Sequence, residues 1–176
     1  MSKRGLGKNV FVAAKERIAY VFDNFPQIYV SYSGGKDSTV MLHLVAEEAR
    51  KRKRTFGLMF VDLEGQYKLT IEHIHDCFDR YADITEPHWV ALPIHLRNAV
   101  SQFEPHWVCW DKEKEKDWVR TKPERASPDN LYPFFHEGME FEEFVPEFGH
   151  WFGGDKLTAC FVGIRSDESL NRYRTI

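Results

Sequence analysis

Apolar side chains recur at three- and four-residue intervals between Asn9 and Phe25, at Val10, Ala13, Ala14, Ile18, Val21 and Phe22. That spacing predicts an amphipathic helix with Pro26 as its stop. The period then switches. Ile28 to Tyr32 is a β-branched and aromatic run that predicts a buried strand. It breaks on Ser33-Gly34-Gly35-Lys36-Asp37-Ser38, after which Val40, Met41, Leu44 and Val45 restore helical spacing up to about Arg54. Phe56 to Val61 is apolar throughout, as strands of parallel sheets tend to be. Ile71, Ile74, Cys77, Phe78 and Tyr81 line one face of a helix expected over 69–81, and His88 to Leu92 reads as a third strand closed by Pro93. From His95 to about Pro133 no period holds. Phe141, Phe144, Val145 and Phe148 return to helical spacing, in a helix expected to be interrupted at Pro146, and Leu157 to Gly163 is the last strand. Strands alternating with helices predict a three-layer α/β/α domain around a mainly parallel sheet of about five strands. The length and this alternation predict one domain over 1–176, with an aromatic-rich insertion at about 95–133.

Composition narrows the function classes. A net charge of −3 over 176 residues gives no global pull toward nucleic acid or an anionic membrane. No run approaches the ~18 apolar residues of a membrane span, and the first residues lack the apolar stretch of a secretory signal, so a cytoplasmic protein is expected. Cys77, Cys109 and Cys160 are far apart, support neither a disulfide framework nor a zinc cluster, and read as small buried hydrophobes. The run Arg50 to Arg54 reads first as cations favoured at a helix C-terminus, with a nucleic-acid contact as the sharper alternative.

The chemistry concentrates at the break after the first strand. Two glycines between a strand and a helix turn several backbone N–H groups toward one helix N-terminus, where a phosphate is stabilised. Lys36 adds a point charge, and Ser33, Ser38 and Thr39 add hydroxyl donors. Asp37 would repel a phosphate without a cation between them, so it reads as a Mg²⁺ ligand or water-holder. Asp62 and Glu64 end the second strand, on the edge where open α/β sheets form their crevice. His73 and His75, two apart, face different sides of a helix and read as surface or packing residues. In the 95–133 stretch, the charge run Asp111 to Asp117 among Trp107, Trp110 and Trp118 suits either a solvated face or a lid, and His106 beside Trp107 suits stacking on a base. At the end of the last strand, Gly163 permits close approach of a flat group, and Arg165 supplies a planar fork for phosphate or sulfate oxygens. Arg172 and Arg174 continue a basic rim.

Ser33-Gly34-Gly35-Lys36-Asp37-Ser38 is not a Walker loop, which needs a different glycine spacing. It resembles the pyrophosphate-binding loop of the PP-loop superfamily, which includes the ATP pyrophosphatases and the phosphoadenosine phosphosulfate (PAPS) reductases. Gly163-Ile164-Arg165-x-x-Glu168-Ser169-x-x-Arg172 resembles the second motif of the PAPS reductases, in wording nearest a subgroup described as prophage gene co-activators. The resemblance implies an adenine nucleotide alpha-hydrolase-like fold that binds ATP or PAPS with Mg²⁺, and a link to sulfur metabolism. It implies phosphate binding by Ser33, Gly34, Gly35, Lys36, Asp37 and Ser38, with Lys36 and Asp37 catalytic. Asp62 would join that nucleotide site, Gly163 would sit at the adenine, and Arg165 and Arg172 at the distal phosphate or sulfate. Two departures matter. Asp62-Leu63-Glu64 stands where the reductases have Asp-Thr-Gly, and the C-terminal Glu-Cys-Gly-Leu-His segment that carries their thiol is absent. Three readings follow: a nucleotide-binding domain that cleaves at the α-phosphorus, a reductase whose cysteine-bearing C-terminal part is missing here, or a nucleotide-sensing regulatory module that works through a protein partner.

Overall fold

The computed structural model describes residues 7–98 and 103–164. Helix α1 (Val10–Asn24) is capped by Asn9, whose side-chain oxygen accepts the Val12 N–H at 2.9 Å. Strand β1 (Gln27–Ser31) leads into α2 (Lys36–Arg52), β2 (Phe56–Val61), α3 (Lys68–Arg80) and β3 (Thr85–Val90). A two-stranded antiparallel hairpin, β4 (His95–Arg97) and β5 (His106–Val108), precedes two short 3-10 helices, Lys112–Asp117 and Asp129–Leu131. Helix α4 (Phe141–Gly153) and strand β6 (Thr158–Val162) complete the described chain.

The main sheet is parallel throughout, in the order β3-β2-β1-β6. Its two faces alternate along each strand. Tyr29 and His88 meet Phe148 and Phe152 of α4 on one face. On the other, Tyr32 bonds Cys77 of α3 and Trp89 packs on Phe78. The result is three layers, with α2 and α3 on one side and α4 on the other. The chain starts in the middle at β1, winds outward through β2 and β3, then returns to the far side of β1 as β6. That reversal between β1 and β6 is the topological switch point, and in open α/β sheets the crevice at the strands' carboxyl ends opens there.

Among the described residues the parallel sheet has four strands, in line with the expected three-layer α/β/α domain, and the stretch after β3 folds as a separate hairpin. Three expectations need correction. Helix α4 runs unbroken through Pro146. The ring removes the hydrogen bond to the Glu142 carbonyl, but both residues are exposed, so water replaces it while Phe144 and Phe148 stay buried. Cys160 is exposed, unlike Cys77 and Cys109, because β6 borders only β1 among the described strands. Strand β3 begins three residues earlier than its apolar run: Glu86 and Pro87 suit an edge strand, where a missing N–H costs little.

The basic run closing α2 serves the fold. Arg50 pairs with Asp83 at 2.9 Å, Arg52 with Glu48 and Asp23, and Arg54 donates to the Phe22, Phe25 and Pro26 carbonyls. Among the described residues, no helix is long and apolar enough to cross a membrane.

Candidate functional site

The loop 33–38 lies at the carboxyl end of β1, at the switch point. Gly34 takes φ +75°, and a Cβ on it would stand 2.7 Å from the Ile74 side chain, so only glycine lets the loop lie flat on α3. A chain of hydroxyls holds the loop's shape. Ser38 Oγ donates to the Gly35 carbonyl at 3.0 Å, leaving Ser33 Oγ to donate to Ser38 Oγ at 2.9 Å. The Gly35 N–H reaches back to Ser33 Oγ at 3.4 Å, which closes the ring. Gly35 is the N-cap of α2 and provides no side chain to cap it. The first-turn N–H groups therefore have no side-chain cap at the positive end of the helix dipole. Lys36 and Asp37 are exposed beside them.

A polar layer supports the loop from below. Tyr32 is buried, and its hydroxyl bonds Thr39 Oγ1 and Cys77 Sγ, each at 3.2 Å. Burial pushes the Tyr32 hydroxyl well above the usual tyrosine range, so it stays a proton donor. Thr39 Oγ1 also meets His73 Nε2 at 3.1 Å. His75 instead lies against Trp89, ring centroids 4.6 Å apart.

Gly163 is brought to the same place. A Cβ there would stand 3.0 Å from the Ser38 Cα and N, so the end of β6 packs directly on the loop helix. Asp37 and Gly163 share an apolar groove of about 600 Å³, walled by Phe11, Val40, Met41 and Phe161. Arg165 and Arg172 lie outside the described residues.

Asp62 has a different setting. Its side chain has no exposed surface. Oδ1 accepts the Glu64 N–H at 3.0 Å and pairs with Arg120, and Oδ2 accepts the Trp89 indole N–H at 2.8 Å. Glu64, also buried, accepts the Trp110 N–H at 2.7 Å and the Val119 N–H at 3.0 Å. The Trp110 indole donates to the Asp62 carbonyl, and Arg120 Nε to the Glu64 carbonyl. Both Glu64 (φ +65°) and Trp110 (φ +54°) hold left-handed conformations that cost non-glycine residues energy, so the clasp over-determines them. The two carboxylates thus fasten residues 110–120 onto the tip of β2 as a cover. Trp110 stood out in the sequence only as one of the tryptophans around the charge run, and neither Arg120 nor Trp89 carried a signal of its own. In the hairpin, His106 pairs with Glu140 at 3.4 Å, and the neighbouring Trp107 is 39% exposed beside Gly65.

Residues 27–175 match the family model described as phosphoadenosine phosphosulfate reductase domain. The chain belongs to that family. Over 170 residues it is 42% identical to the Uncharacterized protein YbdN of Escherichia coli (strain K12), a match covering 96% of this chain and 41% of that protein. The chain thus spans less than half the length of this curated relative. The PAPS reductase domain match takes in the loop, the switch point and both arginines of the 165–172 segment.

The thiols of this family member stand away from the loop's open edge. Cys77 is buried beneath it, and burial pushes Cys109 up to about 12. Cys160 is exposed but lies beside Tyr29 on the α4 side, where desolvation of the thiol raises it too. None of the three has the electropositive, accessible setting a thiolate nucleophile needs.

Proposed function

We propose that this domain binds an adenine nucleotide, ATP or PAPS, at the switch point, with its phosphates on the α2 N-terminus. The observation that carries the reading is the uncapped N–H edge of α2, held open by the Ser33–Ser38–Gly35 hydroxyl ring with Lys36 exposed beside it. Lys36 neutralises phosphate charge as it develops, and the loop amides supply preorganised donors. The groove shared by Asp37 and Gly163 suits an apolar flat group such as adenine. Arg165 and Arg172 take the distal phosphate or sulfate in this reading. Asp37 is the one loop carboxylate, so a Mg²⁺ held there would take its other oxygens from phosphates and water. Asp62 acts on this site only through the cover it anchors. Where the domain is catalytic, the reaction with ATP is attack by an acceptor nucleophile on the α-phosphorus, forming the adenylyl bond as the α–β bond breaks and pyrophosphate leaves. The setting of the three cysteines favours this over sulfur transfer by the chain's own thiols.

Calorimetric titration with ATP and with PAPS, each with Mg²⁺ and followed by product analysis, tests the reading. ATP binding with pyrophosphate release supports an adenylyl-transfer enzyme. Tight PAPS binding without turnover points to a reductase that needs a cysteine from elsewhere, and nucleotide binding with no product points to a sensing module. Lys36→Ala should weaken nucleotide binding at least tenfold, the loss of roughly one charge-assisted hydrogen bond. Unchanged affinity in that variant overturns the loop assignment.

A further inference from the structure

The hydrogen-bond directions beneath the loop assign a role to His73. The Gly35 carbonyl can only accept, and three donors converge on it: the Thr39 N–H at 2.9 Å, the Thr39 hydroxyl at 2.8 Å and the Ser38 hydroxyl at 3.0 Å. The Thr39 hydroxyl proton is directed at Gly35 by the shortest of its contacts, 2.8 Å against 3.1 and 3.2 Å. The lone pairs left on Thr39 Oγ1 face His73 Nε2 at 3.1 Å, while the Tyr32 hydroxyl at 3.2 Å shares its one proton with Cys77 Sγ, also at 3.2 Å. A bare imidazole nitrogen there would set lone pair against lone pair. A donating Nε2–H is the arrangement that keeps the Thr39 proton on Gly35, and the geometry points to that tautomer. The opposite tautomer has one nearby donor to draw on, the Cys77 thiol at 3.8 Å, and would pull the Thr39 proton off Gly35.

We infer that His73 is a positioning residue for the phosphate loop: its Nε2–H fixes the Thr39 hydroxyl, and through it the Gly35 carbonyl. A carbonyl pinned by three donors orients its peptide, and with it the Lys36 N–H that opens the first turn of α2. The same helix provides the Ile74 and Thr70 side chains on which Gly34 rests. One face of α3 therefore sets both the height of the loop and the direction of that peptide. The inference rests on the nucleotide reading for its functional consequence, whereas the hydrogen-bond assignment stands on geometry alone.

Two measurements separate those layers. Long-range ¹H–¹⁵N correlation of the histidine rings should find the Nε2–H tautomer at His73, with the Nε2 resonance moving in Thr39→Val. In titrations with inorganic pyrophosphate, His73→Leu should bind about fivefold more weakly, the size of one neutral hydrogen bond, and His73→Gln should restore affinity to within about twofold through its side-chain amide. The two variants should melt at the same temperature, which a purely structural role would not require. An Nδ1–H tautomer in the wild-type protein, or equal weakening in the leucine and glutamine variants, overturns the assignment. Should the wild-type protein fail to bind pyrophosphate, the nucleotide reading falls. The tautomer then decides His73 alone, with amide exchange at Lys36 to Ser38 that is faster in His73→Leu than in His73→Gln as its supporting result.

Discussion

Two carboxylates sit at the ends of neighbouring strands, and the fold uses them in opposite ways. Asp37 follows β1 and is exposed; Asp62 follows β2 and is buried among an arginine, an indole and a backbone N–H. The loop around Asp37 is held by hydroxyls two to five residues apart in sequence, so its charged side chains take no part in its own architecture. The cover above β2 is held by its acids through partners up to 58 residues away. Proximity to the carboxyl edge of a parallel sheet therefore does not by itself leave an acid free for a ligand. What separates the two is whether the acid's lone pairs already have donors.

The contrast is sharpest in the response to mutation. Asp62→Asn should destabilise the protein by about 3–5 kcal/mol, because it leaves Arg120 partly buried with no counter-charge. Combining it with Arg120→Met should recover part of that loss, since removing a buried pair together costs far less than breaking it. Urea unfolding followed by tryptophan emission reads this directly, because Trp89 and Trp110 both touch the clasp. Asp37→Asn, by comparison, should leave stability within about 0.5 kcal/mol, as exposed substitutions usually do, while weakening Mg²⁺-dependent nucleotide binding. Equal stability losses at the two positions would erase the distinction.

Glu64 gives a smaller effect of the same kind. It accepts two backbone N–H groups from the cover, and glutamine can accept only one of them without turning its NH₂ toward the other. Glu64→Gln should therefore cost about 1–3 kcal/mol, the price of one buried donor left unpaired. The loss should appear as earlier exposure of Trp110, with the loop side of the sheet unchanged in hydrogen exchange. Simultaneous loosening of α2 and α3 would mean that cover and loop are one unit.

How much of this was legible in the sequence follows from the same distinction. The loop was, because strand, glycines and helix are adjacent and their chemistry is local. The order of strands and helices was legible for a similar reason, since Phe56 to Val61 and the inner face of α3 carry clear periods. The fate of Asp62 and Glu64 was not: their partners Trp89, Trp110 and Arg120 lie far along the chain, and spacing carries no information about such pairing. Pro146 misled because a local rule was applied where exposure relaxes it. Cys160 misled because an apolar strand was assumed to be central, whereas among the described strands β6 has a neighbour on one side only.

A third buried polar group tests the comparison from the other side, because it lacks the partners that Asp62 has. His88 is 2% exposed, boxed by Tyr132, Phe148, Trp151 and Phe152, and its Nε2 has no hydrogen bond. The groups facing it are the Tyr132 hydroxyl at 3.3 Å on Nδ1 and the Glu86 carboxylate at 3.4 Å, the latter mostly in water. Burial holds the imidazole below the usual histidine value of about 6.5, and the Glu86 charge offsets only part of that. As pH falls, the unfolded chain takes up this proton before the folded one does. The contribution of neutral His88 is therefore whole above about pH 6.5 and declines below it. Between pH 7 and 5 the wild-type melting temperature should fall more steeply than that of His88→Phe, which keeps a ring in the box and removes the titration. Parallel slopes would mean that the Glu86 carboxylate, already 3.4 Å from Nε2, compensates the protonated ring in full. His88 would then behave as Asp62 does, a buried group matched by its partner.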